Sequence, residues 1–163
     1  MNIFSYIIIT ALFLEFLLDV IADALNLRAL KPEIPLALAG VYKPDEYRKS
    51  QEYTRSCTRL GFITSSFGLL IMLIFWFTGG FNFLDQIVRS WGLGSIVNGL
   101  IYIGILVIVY ELLTLPFSVY ATFVIEERFG FNRTTTRTFI TDILKGLALT
   151  VLLGVPLLAG ILA

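Results

Sequence analysis

Histidine is absent from all 163 residues, and cysteine occurs once, at Cys57. The first absence removes the commonest metal ligand and the commonest general base near neutral pH. Ordinary zinc catalysis and a Ser-His-Asp relay are therefore excluded within this chain. The second absence excludes an internal disulfide and any multi-cysteine metal site. Charge is scarce too, at 15% of residues, with twelve Lys and Arg balancing twelve Asp and Glu. A formal net charge of zero gives no electrostatic footprint for nucleic acid, and none is expected as a partner.

Apolar runs take the place of the missing polar groups. Hydrophobic residues make up 57% of the chain, and the mean hydropathy is +0.86. Four runs come near the ~20 residues a helix needs to cross a bilayer: Ile3–Leu25, Leu60–Thr78, Ile96–Val119 and Ile143–Leu162. The expected fold is all-α, a polytopic membrane helical bundle of about four transmembrane helices with helical cytoplasmic extensions. The length suits one domain, residues 1–163. "MNIFSYIIIT" has no basic n-region and no A-x-A-like site follows it, so the first run is not a cleavable signal peptide.

The connections differ in charge. Residues 26–59 carry Arg28, Lys31, Lys43, Arg48, Lys49, Arg55 and Arg59, whereas 79–95 carry only Arg89. The third loop, 126–142, carries Arg128, Arg133 and Arg137, with Lys145 just beyond. Loops 26–59 and 126–142 must share a side, and the positive-inside rule makes that side cytoplasmic. Both termini are then extracytoplasmic, in a bacterial inner membrane or an endoplasmic-reticulum type of membrane.

The first loop divides in two. "LRALKPEIPLALAGVYKP" is proline-rich and reads as irregular. "DEYRKSQEYTRSCTRL" reads as a polar helix, N-capped by Asp45 and running straight into the second span. "GGFNFLDQIVRSWGLGS" is Gly-punctuated, and Phe81, Phe83 and Trp91 suit a re-entrant or interfacial segment.

Four carboxylates fall inside apolar runs. Glu15, Asp19 and Asp23 follow an i, i+4, i+8 spacing, which keeps them on one side of a helix with a drift of about 40° per step. Glu111 lies five residues before Pro116, a proline expected to kink the third span. An ionised Asp at the bilayer centre costs roughly 2.5–3.5 kcal/mol on insertion scales. These side chains therefore line a polar chamber, or, for Asp19 and Asp23, meet headgroups and loop cations.

The densest polar stretch is "FVIEERFGFNRTT", 123–135. Gly130 suits the left-handed residue that ends a helix, and Asn132 suits the cap of a next helix starting near Arg133. Adjacent helical residues point about 100° apart. Glu126 and Glu127 therefore make a poor catalytic pair, and the stretch reads as a helix–Gly–helix corner. Asn132-Arg133-Thr134 matches the glycosylation pattern only by chance if the loop is cytoplasmic.

The longer segment "LPFSVYATFVIEERFGFNRTTTRTFITDILKG" resembles the "P-f-x-x-Y-x-x-F-v-I-E-E-k-x-G-F-N-x-x-T…F…D…K" signature of the type I CAAX prenyl proteases, integral-membrane zinc metallopeptidases. Matching residues are Pro116, Tyr120, Phe123, Ile125, Glu126, Glu127, Gly130, Phe131, Asn132, Thr135, Phe139, Asp142 and Lys145. Many members have His where Phe129 stands. "LNLRAL" and "YRKSQEYTRSCTRLG" are also similar to the family's first cytoplasmic segment, so the likeness runs from about Leu25 to the end.

The resemblance implies the N-terminal membrane domain of such an enzyme. That domain anchors the protein and walls an intramembrane chamber for proteolysis of membrane-associated or prenylated peptides. The family's zinc site is an H-E-x-x-H helix with a downstream Glu, and it lies later in the chain. No catalytic residue, metal ligand or bound cofactor is therefore assigned here; zinc belongs to the intact enzyme. The implied partners are the lipid bilayer, a C-terminal catalytic zinc domain in the same or a separate chain, and a peptide substrate. The chamber-lining candidates are Glu15, Asp19, Asp23 and Glu111, and the inter-domain corner comprises Glu126, Glu127, Gly130, Phe131 and Asn132. Two other readings stay open: a stand-alone scaffold or partner for a separate peptidase, and a small transporter using Glu15 and Glu111.

Overall fold

A computed structural model describes residues 3–31, 33–35, 40 and 43–162. Among them every regular element is helical: α1 (Ile3–Ala29), α2 (Pro44–Phe77), α3 (Gly80–Ser90), α4 (Ser95–Tyr120) and α5 (Thr136–Leu162). A π-helical stretch, Ala121–Glu126, continues α4. Four of these helices (α1, α2, α4 with its extension, and α5) are long and apolar enough to cross a membrane. The all-α polytopic class expected from the sequence is the class observed.

The chain divides into two compact units, Met1–Leu73 with Phe117–Asn132, and Ile74–Pro116 with Arg133–Ala163. Among the described residues only Val88, Ile125 and Phe129 are buried apolar side chains. A water-soluble chain could not leave so much apolar surface open; one whose solvent is lipid can.

In the first unit, α1 meets α2 through Phe16 and Phe62, whose ring centroids lie 6.4 Å apart. Phe67 of α2 meets Phe117 at 5.1 Å. The polar helix and second span form one continuous 34-residue helix, α2. At ~1.5 Å per residue it extends for about 50 Å, well beyond a ~30 Å hydrocarbon core. The excess is the polar stretch before Leu60. Asp45 is not the N-cap. Pro44 already occupies the first helical position, where a missing amide costs nothing. The Lys43 carbonyl accepts the Tyr47 amide at 3.0 Å. Asp45 sits inside the first turn and accepts a hydrogen bond from Arg48 at 3.3 Å. Of the proline-rich half of this loop, 36–39, Val41 and Tyr42 lie outside the described residues, as does Pro32.

In the second unit, the Gly-punctuated segment, expected as re-entrant or interfacial, is built around an 11-residue helix, α3. Gly79, at φ 75°, turns the chain from α2 into α3. Phe81 packs edge-on against Phe75 at 4.7 Å and Trp76 at 5.7 Å. Val88 is 1% exposed, and Arg89 Nε donates to both Asp85 oxygens at 2.8 and 2.7 Å. Gly99 opens space for Leu162, whose Cδ1 lies 2.8 Å from where a Cβ would stand, so the start of α4 meets the end of α5.

Gly80 is packed for a different reason. A Cβ there would overlap the Phe75 ring, which Phe81 holds in place. Gly80→Ala is expected to lower stability by about 1–3 kcal/mol through overpacking. Gly61, inside α2, has nothing within 4 Å of the point where an added methyl would stand. Gly61→Ala should therefore raise stability by about 0.5–1 kcal/mol through helix propensity alone. Thermal unfolding in detergent reads both, and equal signs would contradict the packing account.

α5 starts at Thr136, later than expected. Asn132 does not cap it. The cap is Thr135, whose Oγ1 accepts the Thr138 amide at 3.2 Å. Phe131–Thr135 form an irregular link instead.

Candidate functional site

The polar stretch that stood out in the sequence folds, through its residues up to Asn132, against the polar first half of α2 within the first unit. Its geometry starts from Gly130, at φ 67°. The Phe131 amide donates to the Glu126 carbonyl at 2.8 Å, and the Gly130 amide donates to the Glu127 carbonyl at 2.9 Å. These two bonds define a Schellman motif, with Gly130 as its left-handed residue. The Asn132 amide adds a second bond to the Glu126 carbonyl at 3.2 Å, and Asn132 Nδ2 donates to Glu127 Oε2 at 3.1 Å. Asn132 is committed backward to the helix it follows, which is why the next helix needs Thr135.

Two phenylalanines of the turn close on α2. Tyr53 meets Phe129 edge-on at 5.7 Å and Phe131 at 4.9 Å. Lys49, one turn earlier, lies 5.4 Å from the Phe131 ring, and Arg128 lies 5.6 Å from that of Phe129. Phe129 is 5% exposed. The position where many family members carry His is therefore an apolar anchor in this chain. Tyr53 was missing from the sequence-based candidates. Its i, i+4 spacing from Lys49 and Cys57 placed it on one helix face, but nothing local identified what that face would meet.

Interaction with the Cys57 side chain, one turn on, and then burial raise the Tyr53 phenol above its ordinary value near 10. Nearby Glu126 contributes in the same direction. A raised folded-state value means that the neutral phenol is the form the corner favours. Its stabilising share is complete below about pH 10 and is lost as pH rises through the elevated value. Ultraviolet difference titration of wild type against Tyr53→Phe should show one tyrosine ionising later than the rest. A difference curve centred at or below the ordinary value would contradict this environment.

The π-helical stretch adds a residue to the turn between Tyr120 and Glu126, and such bulges recur at functional sites. Here it faces α2 across a cavity of about 200 Å³, with Ser56 and Arg59 on one side and Tyr120, Ile125 and Arg128 on the other. A second groove, of about 420 Å³, lies between α1 and α2 and contains Asp23 and Arg59.

The intramembrane acids are divided between the two units. Glu15 and Asp19 are exposed on α1, and Asp23 is half-buried at the second groove. Glu111 is exposed on α4 and belongs to the other unit. Pro116 lies within α4. Among the described residues no three His, Cys, Asp or Glu side chains form a metal-ligand group. With no histidine in the chain, these residues do not fit a zinc site.

A polytopic helical membrane domain with a structured polar corner is thus the class of protein defined. The family model for "CAAX prenyl protease N-terminal, five membrane helices" matches residues 23–163. The chain belongs to that family. Among the described residues four helices are candidate spans, and α3, which links α2 to α4, is at 11 residues too short to be a fifth. A CAAX prenyl protease 1 homolog of Arabidopsis thaliana is 32% identical over 90% of this chain and 37% of its own length. The Oryza sativa homolog is 30% identical over 91% of this chain and 37% of its own. The crystal structure of S. mikatae Ste24p superposes with a TM-score of 0.85 at 25% identity, covering 97% of this chain and 38% of that one. The chain therefore spans less than two-fifths of the length of these relatives.

Proposed function

We propose that this chain is the membrane scaffold of a CAAX-type zinc endopeptidase, anchoring the enzyme and walling the chamber in which membrane-associated or prenylated peptides are cleaved. The observation that carries the reading is the likeness to Ste24p over 97% of the chain, together with the family membership. In this reading the zinc ligands and the attacking water belong to a C-terminal catalytic domain, in the same or a separate chain. The scaffold contributes shape, hydration and docking. Glu15, Asp19, Asp23 and Glu111 supply polar surface to the chamber, and Pro116 bends the span that carries Glu111.

Glu126, Glu127, Asn132 and the Gly130 turn tie the scaffold to the catalytic domain. The Asn132–Glu127 bond at 3.1 Å holds both groups at the outer face of the corner, where they can present hydrogen bonds to a docked surface. In the full-length enzyme, Asn132→Ala is expected to reduce peptide cleavage and domain association together. Unchanged assembly and unchanged proteolysis would remove that role from Asn132.

The basic loops put the corner in the cytoplasm and both termini on the other side. α3 then lies at the extracytoplasmic boundary, with Phe83 and Trp91, 66% and 51% exposed, at the lipid interface. In inside-out vesicles, whose cytoplasmic face is outward, an N-terminal epitope should be protected from protease, while a tag inserted after Gly40 should be cleaved. The reverse pattern would overturn the orientation without touching the family membership.

A further inference from the structure

We infer that the cavity between α2 and the π-helical stretch holds the phosphate of an anionic phospholipid, gripped by Arg59 and Arg128. Both arginines line this cavity, together with Ser56 and the apolar side chains of Leu60, Ile63 and Val124. No carboxylate lines it. Among the described residues the ion pairs involve Lys43, Arg48, Arg89 and Lys145, and neither Arg59 nor Arg128 joins one. Arg59 also borders the groove that contains Asp23, without pairing to it. Two guanidinium groups facing one small cavity with no counter-charge call for an anion, and guanidinium matches phosphate oxygens in a fixed fork geometry.

Position selects the source of that anion. Arg59 immediately precedes Leu60, where the apolar part of α2 begins, and Arg128 lies just past the π-helical end of α4. The cations thus stand at the hydrocarbon boundary, at headgroup depth. The apolar residues beside them continue into the membrane-spanning part of each helix. A cavity of about 200 Å³ accommodates a phosphodiester headgroup, with the acyl chains left outside along the spans. A water-soluble anion would gain nothing from the apolar floor, whereas a lipid uses both halves of the site. The inference depends on where the helices meet the bilayer and not on the protease reading, so either can fail alone.

The test uses the full-length protein, purified in mild detergent and examined by native mass spectrometry with added phosphatidylglycerol or phosphatidylcholine. Phosphatidylglycerol should be retained preferentially by wild type. Arg59→Gln and Arg128→Gln should each weaken its retention by about five- to tenfold. Arg137→Gln, which removes a cation outside the cavity, should leave it unchanged. Arg59→Lys with Arg128→Lys keeps the charge but loses the fork; it should fold normally and retain an intermediate amount. Equal retention of the two lipids by wild type overturns the site without recourse to any variant. So does undiminished phosphatidylglycerol binding in a folded double Gln variant. Complete displacement by millimolar inorganic phosphate would show a free-anion site, and failure of the intact enzyme to bind either lipid would show a cavity filled by protein; both refute the lipid assignment.

Discussion

Phe129→Ala is expected to destabilise the corner by about 3–5 kcal/mol, the range for truncating a buried phenylalanine. Phe129 is 5% exposed, packs on Tyr53 at 5.7 Å and lies beneath the Arg128 guanidinium at 5.6 Å. Its loss opens a void under the Schellman turn and removes the apolar surface on which Arg128 rests. Phe131, two residues on, is 49% exposed although its ring is nearer to Tyr53, at 4.9 Å. Phe131→Ala should therefore cost much less, about 1 kcal/mol, chiefly the aromatic pair itself. Equilibrium unfolding in detergent gives both values. A double-mutant cycle with Tyr53→Ala should return a coupling of about 0.5–1.5 kcal/mol for Phe129. Equal losses for the two phenylalanines would mean that burial does not rank them, and the corner would be a looser contact than its geometry indicates.

Gly130 separates conformational cost from steric cost at the same corner. A Cβ there would approach only Lys49 Nζ, at 3.5 Å, an ordinary contact with a flexible tip. Gly130→Ala should nevertheless cost about 1–2 kcal/mol, because φ 67° is left-handed. Gly130→Asn should recover part of the loss, since Asn tolerates that region best among non-glycine residues. Limited proteolysis at the corner would track the same order.

Those two residues also show what the sequence disclosed and what it withheld. Gly130 was legible because a left-handed helix end is a local requirement, and glycine meets it at a recognisable offset. The continuity of α2 was legible for the same reason: between Asp45 and Arg59 nothing breaks a helix. Asn132 misled because its side chain can cap forward or bond backward, and only the position of Glu127 decides. Thr135 took the cap once Asn132 was engaged. Tyr53 was invisible because its partners are more than seventy residues away in the chain. The π-helical stretch carries no side-chain signature that periodicity detects.

The intramembrane acids illustrate a different boundary. Their spacing said that Glu15, Asp19 and Asp23 share a helix face, and α1 puts all three on one uninterrupted helix. What they face was a question about neighbours. Glu15 and Glu111 are exposed, and so are apolar neighbours such as Leu18 and Leu112, so exposure alone does not say what they face. Carboxylates that line a shared chamber need no direct contact within this chain, so their separation into two units leaves that proposal intact.

Val88→Asp is expected to cost at least as much as Phe129→Ala, for an electrostatic rather than a packing reason. Val88 is the most completely enclosed side chain among the described residues, at 1% exposed. A carboxylate placed there would lose its hydration. The one cation near in sequence, Arg89, is already held by Asp85 at 2.7 Å. Burial of an unpaired ionised group costs several kcal/mol even after relaxation. The substituted carboxyl should therefore take up a proton, raising its pKa and making stability fall as pH rises. Gln86→Asp, on the exposed side of α3, adds the same charge without burial and should be nearly neutral at every pH. Thermal unfolding of both variants between pH 5 and 8 separates the possibilities. A Val88→Asp protein that is as stable as Gln86→Asp, with no pH slope, would mean that α3 is not docked through this face. Because α3 links two membrane-spanning helices, undocking it would also loosen the start of α4 and the spacing of the spans that the proposed chamber depends on.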